Sequence, residues 1–346
     1  MHQFNNETEL PLISVIIPCR NEEFFISQCI NSLLLNDYPH DKVEILVIDG
    51  SSNDRTLEIV KEIAKINSPV KVFHNPGRIF PSAVNIGILN ASGSLIFIAG
   101  AHARYEFNYI RDCVKSSYEY NADNVGGVLV TVPINESLTG RLITAVLSSP
   151  FGVGNSKFRT GSLKPIETDT VFGGCYNRNV FSKYGLFNES LISTSDYEFN
   201  KRIKRAGARI FLIPEIKVTY YTRSALLKFF RNNIRNGIWA VYPIALTDHF
   251  PVSLRHLIPM LFIITLLVSI LLSFYFKCFL ILLLAITVVY LFTALVFSVK
   301  SSGKQYHYIL FMPFLFLGLH LTYGFGSILG LIKAVFKKIK KSIGNH

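Results

Sequence analysis

The chain has 346 residues and a mass of 39.0 kDa, enough for two domains and a sizeable buried core. Half of the residues are hydrophobic, 17% are charged and the mean hydropathy is +0.35, which excludes a disordered chain and an ordinary soluble enzyme. Of the formal net charge of +12, nine units arise after Asp248, where no acidic residue occurs. Such a basic tail flanks membrane segments and argues against a nucleic-acid binder, whose positive stripe lies on the folded domain.

From residue 1 to about 220, short apolar runs alternate with amphipathic ones. The spacing predicts strands over residues 12–17, 44–48, 70–73 and 94–99, with helices over 22–35, 55–66 and 79–89. Strands alternating with helices of this length imply βαβ units, a mainly parallel sheet and ligands at the carboxyl ends of the strands. An α/β nucleotide-binding fold is therefore expected. The N-terminus lacks the basic region of a signal peptide, and its early apolar run is too short to cross a bilayer, so this part is expected to stay on the cytoplasmic side. Five cysteines without CxxC or Cys/His ligand spacing predict reduced, mostly buried thiols rather than a disulfide framework or a zinc site.

Residues 224–243 mix Leu226, Leu227, Phe229, Phe230, Ile234 and Trp239 with Lys228, Arg231 and Arg235, the pattern of an amphipathic helix lying in a membrane interface. Beyond 250 the uncharged stretches 257–276, 278–299 and 309–332 are each long enough to cross a hydrocarbon core of roughly 30 Å. The expected organisation is a catalytic domain over 1–222, an interfacial helix region over 223–250 and a transmembrane region with a basic tail over 251–346. Three full crossings put the Lys333 to Lys341 cluster outside, against the positive-inside tendency. The third segment carries Gly318, His320, Gly324, Gly326 and Gly330, so a re-entrant or broken helix there would return to the starting side; equally, Lys277 alone separates the first two segments, which makes a tight hairpin.

Two segments carry chemistry directly after strands: Pro18-Cys19-Arg20-Asn21-Glu22 and Asp49-Gly50-Ser51-Ser52-Asn53-Asp54. A carboxylate at a strand end, followed by a small-residue turn into a helix, binds the ribose or base of a nucleotide; Asp49 fits that role and Asp54 fits helix capping. A G-x-G-x-x-G fingerprint is missing after the first strand, which weighs against a dinucleotide-dependent dehydrogenase.

These two segments resemble the opening of the GT-A domain of family-2 inverting glycosyltransferases. Asn75-Pro-Gly-Arg78, Ser82-Ala-Val-Asn-Ile-Gly87, Val171-Phe-Gly-Gly-Cys175 and Ser195-Asp-Tyr-Glu-Phe199 resemble later motifs of that family in the same order. Within the family the likeness is closest to succinoglycan-type exopolysaccharide glucosyltransferases, which carry Asp-Ala-His where most relatives have Asp-x-Asp. This chain has Gly100-Ala101-His102, so the carboxylate is lost and His102 is left as the metal-ligand candidate. An imidazole leans towards Mn²⁺, and a diphosphate suits either Mn²⁺ or Mg²⁺.

The resemblance implies nucleotide-sugar contacts at Pro18, Arg20, Glu22, Asp49, Arg78 and Ala101, with Arg78 and Arg104 as further diphosphate partners. It implies Asp196 as the base, with Glu198 as a supporting or helix-capping group, because carboxylates at i and i+2 on a helix point apart. Gly173 and Gly174 would admit the acceptor, and Arg235 sits in a degenerate form of the family's Gln-x-x-Arg-Trp region. The implied function is transfer of a sugar, glucose from UDP-glucose, onto a lipid-linked saccharide in cell-surface polysaccharide synthesis. The implied place is the inner membrane, as a multi-pass protein with a cytoplasmic catalytic domain, beside other assembly proteins. Rival readings are a polyisoprenyl-phosphate sugar synthase, a catalytically weak nucleotide-sugar-binding assembly subunit and, least favoured, a transporter.

Overall fold

A computed structural model describes residues 10–222, 224–247, 253–303 and 305–343. The chain divides into two compact units. The first runs to Val130 and resumes from Lys157 to Tyr221; the second comprises Thr131–Ser156 and everything from Thr222. Residues 131–156 thus cluster with the C-terminal helices.

In chain order the elements are β1 (Ile13–Cys19), α1 (Ile26–Leu34), β2 (Val43–Asp49), α2 (Thr56–Ile66), β3 (Val70–His74), α3 (Phe80–Asn90), β4 (Leu95–Ile98), β5 (Ala103–Tyr105), α4 (Tyr109–Glu119) and β6 (Asn124–Pro133). There follow α5 (Leu138–Ser148), α6 (Pro150–Val153), α7 (Lys157–Thr160), β7 (Ile166–Glu167), β8 (Cys175–Asn177), α8 (Asn179–Tyr184), α9 (Ser195–Arg205) and β9 (Ile210–Thr222). Four long helices complete the order among the described residues: α10 (Leu226–Val241), α11 (Ile258–Ser273), α12 (Lys277–Ser302) and α13 (Tyr308–Ile343). The seven elements anticipated over residues 12–99 all form, within a few residues of their expected ends.

The strands build one mixed sheet in the order β3-β2-β1-β4-β8-β6-β9-β5, with β7 added beside β9. Neighbours β3, β2, β1 and β4 are parallel, whereas β8 pairs antiparallel with both β4 and β6. This is a GT-A-like sheet. The apolar side chains of β1 and β2 are almost wholly buried, as expected of parallel strands covered on both faces. Helix α1 covers them with Ile26, Cys29, Ile30 and Leu33, an i, i+3, i+4, i+7 stripe. Cys19 lies opposite Asp49 and Asp49 opposite His74, so β1, β2 and β3 finish together, while β4 stops at Ile98, opposite Ile16, three residues earlier. Four loops therefore emerge along one edge.

The second unit has its own core, in which Leu142, Ile143 and Val146 of α5 join Phe229, Ala294, Met312, Phe316 and Leu319. Helices α11, α12 and α13 are long and apolar enough to cross a membrane. The third is continuous over 36 residues, about 54 Å at 1.5 Å per residue, and is not broken at its glycines. Its glycines serve packing: a Cβ on Gly326 would lie 2.1 Å from the Ile234 carbonyl oxygen and one on Gly324 2.2 Å from that of Pro259. All five cysteines are free; Cys19, Cys29, Cys113 and Cys175 are buried and Cys278 is exposed.

Candidate active site

The loops after β1 and β2 are laced together. The Asn21 amide donates to Ser52 Oγ (3.0 Å), the Asn53 amide to Asn21 Oδ1 (2.8 Å), and the Glu22 amide to Thr56 Oγ1 (2.7 Å). Asp49 is 2% exposed and accepts from the Ser52 amide (3.1 Å) and hydroxyl (2.5 Å), so its carboxylate shapes the turn as well as ending the strand. Asp54 behaves as the expected cap: it accepts from the Thr56 amide (3.0 Å) and hydroxyl (2.6 Å) at the start of α2. Burial would raise its pKa, but these bonds outweigh burial and hold the carboxyl below its usual range.

Asn75 organises the loop after β3. Its carboxamide oxygen accepts from the Gly77 amide and the Ser82 hydroxyl, and its Nδ2 donates to the Ile79 carbonyl. Of four non-glycine residues with positive φ among the described residues, Asn21, Ser51 and Arg78 occupy these three consecutive loops at φ 57°. Left-handed backbone at such positions costs energy that the surrounding bonds must hold, and it is concentrated where ligands bind. Arg20 and Arg78 are exposed, Pro18 is half-buried, and Arg20 passes over Gly50, where a Cβ would meet its own at 3.3 Å.

After β4, Ala101 is buried and His102 Nδ1 is hydrogen-bonded to Glu22 Oε2, joining the first and fourth loops. The imidazole stacks against Phe25, 4.0 Å between ring centroids, and Tyr220 lies 6.0 Å away. Arg104 is directed elsewhere: it lines a shallow surface cavity with Gln28, Asn31 and Phe107. The space beside Gly100 is filled by Phe172, because a Cβ on Gly100 would sit 3.0 Å from its ring.

That contact ties the Val171–Cys175 segment to this edge. The Gly174 carbonyl accepts from the Ile98 amide (3.0 Å), and a Cβ on Gly173 would lie 2.4 Å from the Ile98 carbonyl oxygen. With φ of +66° and +98°, Gly173 and Gly174 adopt a turn that a side chain would obstruct.

Asp196 stands in the first turn of α9, where the helix dipole favours an anion. Four residues on, and so on the same helix face, Asn200 donates to Thr170 Oγ1 (2.9 Å) and accepts from Asn124 (3.1 Å) and Tyr176 Oη (3.0 Å). This buried network fixes the Asp196 face of α9 against the segment leading into Phe172. Asp196 is half-buried, and the protein crowded around it desolvates the carboxyl and raises its pKa; amide hydrogen bonds from Tyr197 and its own residue oppose that only in part.

Glu198 faces away. It is 3% exposed and bonds Arg202 Nε at 2.9 Å, while Arg202 also donates to the Tyr184 and Leu186 carbonyls. Its role is to clamp α9 to the loop after α8. Arg235 is an exposed residue of α10, in the helical unit.

Sequence reasoning missed Phe25, Tyr220 and Asn200, and gave no role to Asn75 and Phe172, which lie within two of the family-like motifs. Asn200 carried a signal in its i+4 spacing from Asp196, whereas Tyr220 is brought to the site by the pairing of β9 with β5. For a metal, no group of three His, Cys, Asp or Glu side chains converges among the described residues. The donor set still fits an ion that takes most ligands from a diphosphate and water, because a carboxylate on Nδ1 is the usual device for presenting Nε2 of a histidine to a metal.

The model of "Glycosyl transferase family 2" matches residues 14–185. The chain is 31% identical over 233 residues to dolichyl N-acetyl-alpha-D-glucosaminyl phosphate 3-beta-D-2,3-diacetamido-2,3-dideoxy-beta-D-glucuronosyltransferase of Methanococcus voltae, covering 65% of this chain and 71% of that protein. It is 29% identical over 219 residues to succinoglycan biosynthesis protein ExoA of Rhizobium meliloti, covering 62% and 65% respectively. Among solved structures, the mannosyltransferase PcManGT from Pyrobaculum calidifontis, in complex with GDP-Man and Mn²⁺, aligns with a TM-score of 0.52 at 19% identity over 70% of this chain and 66% of that one. Sheet order, ordered loops and these likenesses agree: the chain belongs to glycosyl transferase family 2 and is a glycosyltransferase.

Proposed function

We propose that this protein is a membrane-anchored, inverting glycosyltransferase that moves a sugar from a UDP-sugar, UDP-glucose first among donors, onto a lipid-linked saccharide. The observation that carries the reading is Asp196, a desolvated carboxyl at the head of α9, held by Asn200 against the segment that abuts the Gly100 turn. The name of the Methanococcus relative specifies a dolichyl-phosphate-linked sugar as acceptor, and that of the Rhizobium relative specifies succinoglycan biosynthesis. Both support a lipid-linked acceptor in cell-surface polysaccharide synthesis.

In this reading the carboxylate of Asp196 takes the proton of an acceptor hydroxyl as its oxygen attacks C1 of the donor sugar. The new C1–O bond forms on one face, the C1–O bond to the diphosphate breaks on the other, and the electron pair leaves with the nucleoside diphosphate. Asp49 and the loop after β2 hold the nucleoside, with Glu22, Pro18 and Ala101 around it, while Arg20 and Arg78 lie beside the diphosphate. His102, oriented by Glu22, would hold Mn²⁺ or Mg²⁺, which supplies charge neutralisation to the departing diphosphate when bound. Gly173 and Gly174 keep the turn on the acceptor side free of side chains.

The anchor follows from the substrate, since a polyisoprenoid acceptor stays in the bilayer. The three apolar helices associate the protein with membrane; we place the catalytic unit at the cytoplasmic leaflet of the inner membrane, beside other assembly proteins. Membranes carrying wild-type protein or Asp196→Asn, supplied with labelled UDP-sugars and lipid extract, test the proposal. Transfer to the lipid fraction by wild type alone is expected; equal transfer by both removes Asp196 as the base, and release of nucleotide without lipid labelling removes the acceptor class.

A further inference from the structure

The helical unit holds three helices long enough to cross a bilayer, but they are not equivalent. Of the most apolar stretch of each, 6% is buried within the protein in α12 and 17% in α11, against 39% in α13. The difference has a geometric origin. Among the described residues, the bonds and close approaches of helix α13 to the hairpin of α11 and α12 fall near the hairpin's proximal end: Tyr323 Oη bonds His256 Nδ1 (2.7 Å), Gly324 abuts Pro259 and Ile263, His320 Nδ1 bonds Tyr290 Oη (2.8 Å), and Ala294 lies in the shared core. The distal half of the hairpin, from Ile264 through the tip at Tyr275 to Val289, presents exposed apolar side chains on nearly every face. A helix crossing in parallel with the hairpin would run beside that half.

The partner of α13 is instead α10. A Cβ on Gly318 would lie 2.5 Å from the Phe230 ring, one on Gly326 2.1 Å from the Ile234 carbonyl oxygen, and one on Gly330 2.5 Å from that of Ile238. The contacts rise together along both chains, so the two helices run side by side in the same direction. Small residues allow this backbone-to-backbone seam. Helix α10 also exposes Lys228, Arg231 and Arg235, which a bilayer core would have to desolvate if α10 followed a crossing α13. Beyond the seam, α13 is amphipathic: Ile332, Val335, Phe336 and Ile339 recur at i, i+3, i+4 and i+7 and are exposed, with Lys333, Lys337 and Lys340 on the other side.

We propose that α11 and α12 form a single transmembrane hairpin, while α13 lies with α10 in the headgroup region of one leaflet and sets its lysines against anionic lipid. The hairpin tip, Phe274-Tyr275-Phe276-Lys277, then sits at the opposite headgroup layer, where aromatic and basic anchors belong. Both ends of the unit share one side, which removes the conflict between three apolar segments and a basic C-terminus. The inference does not depend on which sugar is transferred.

Single cysteines test it in the full chain, because Cys278 is the sole exposed native thiol. In a Cys278→Ser background, Tyr275→Cys and Lys340→Cys are treated with a membrane-impermeant maleimide in right-side-out and in inverted vesicles. Labelling of 275 and 340 from opposite sides is expected, with at least a tenfold preference each way; labelling from the same side overturns the proposal. Reporter domains fused after His346 and inserted at the hairpin tip give a second measurement should a cysteine variant misfold: opposite sidedness supports the single hairpin, and matching sidedness refutes it.

Discussion

Replacing Asp196 by Asn separates chemistry from structure, because the two effects have opposite signs. The side chain keeps its shape and loses its proton affinity. Loss of a general base costs about 10²–10⁴-fold in kcat, or roughly 2.7–5.4 kcal/mol of transition-state stabilisation at 1.36 kcal/mol per tenfold. Stability moves the other way. Burial raises the folded-state pKa of this carboxyl, so its ionised form penalises the folded protein at every pH above the raised value. The penalty shrinks as pH falls and disappears below the unfolded carboxylate pKa of about 4.

The Asn variant should therefore match or exceed the wild-type Tm at pH 7 in detergent, with the gap closing toward pH 4. Wild-type kcat/KM should climb with pH through a value above the ordinary carboxylate range, and the residual rate of the variant should lack that limb. The assay is labelled transfer to lipid beside thermal unfolding on the same preparation. A variant with kcat/KM within about threefold of wild type, or one that loses both Tm and activity as a structural helix-cap residue would, refutes the reasoning.

Glu22→Gln, which weakens the carboxylate on His102 Nδ1, should raise the Mn²⁺ concentration for half-saturation by roughly 10–100-fold, read by direct Mn²⁺ binding in the presence of UDP. Glu198→Gln leaves Arg202 half-partnered and should lower stability by about 2–3 kcal/mol, below the figure for a fully buried pair because Arg202 is partly exposed, and urea unfolding checks it. Gly173→Ala forces φ of +66° on a residue with a Cβ 2.4 Å from the Ile98 carbonyl oxygen; a loss of about 1–3 kcal/mol and reduced transfer are expected in paired unfolding and activity assays. Gly237→Val would drive a side chain into the Tyr323 carbonyl, 2.0 Å from the Cβ position, and should lower the detergent Tm of the helical unit while leaving UDP affinity unchanged by titration calorimetry.

Local pattern determined the βαβ run, because each strand and helix over residues 12–99 satisfies its own period and ends on its own turn chemistry. The expected cap at Asp54 is present for the same reason: its bonds to the Thr56 amide and hydroxyl span two residues. Apolar length likewise marked α11, α12 and α13, since the signal lies within each segment. What pairing across the sheet decides was hidden: Glu22 reaches over 80 residues to His102, and Phe172 fills the space beside Gly100. The glycines of the third apolar segment illustrate the limit. Their absent side chains read equally as breaks or as contacts, and only the carbonyls of Ile234, Ile238 and Pro259 against them make α13 a continuous helix with a seam. Periodicity is a property of neighbours along the chain, whereas a site is assembled from residues that only the closed sheet and the packed helices bring together.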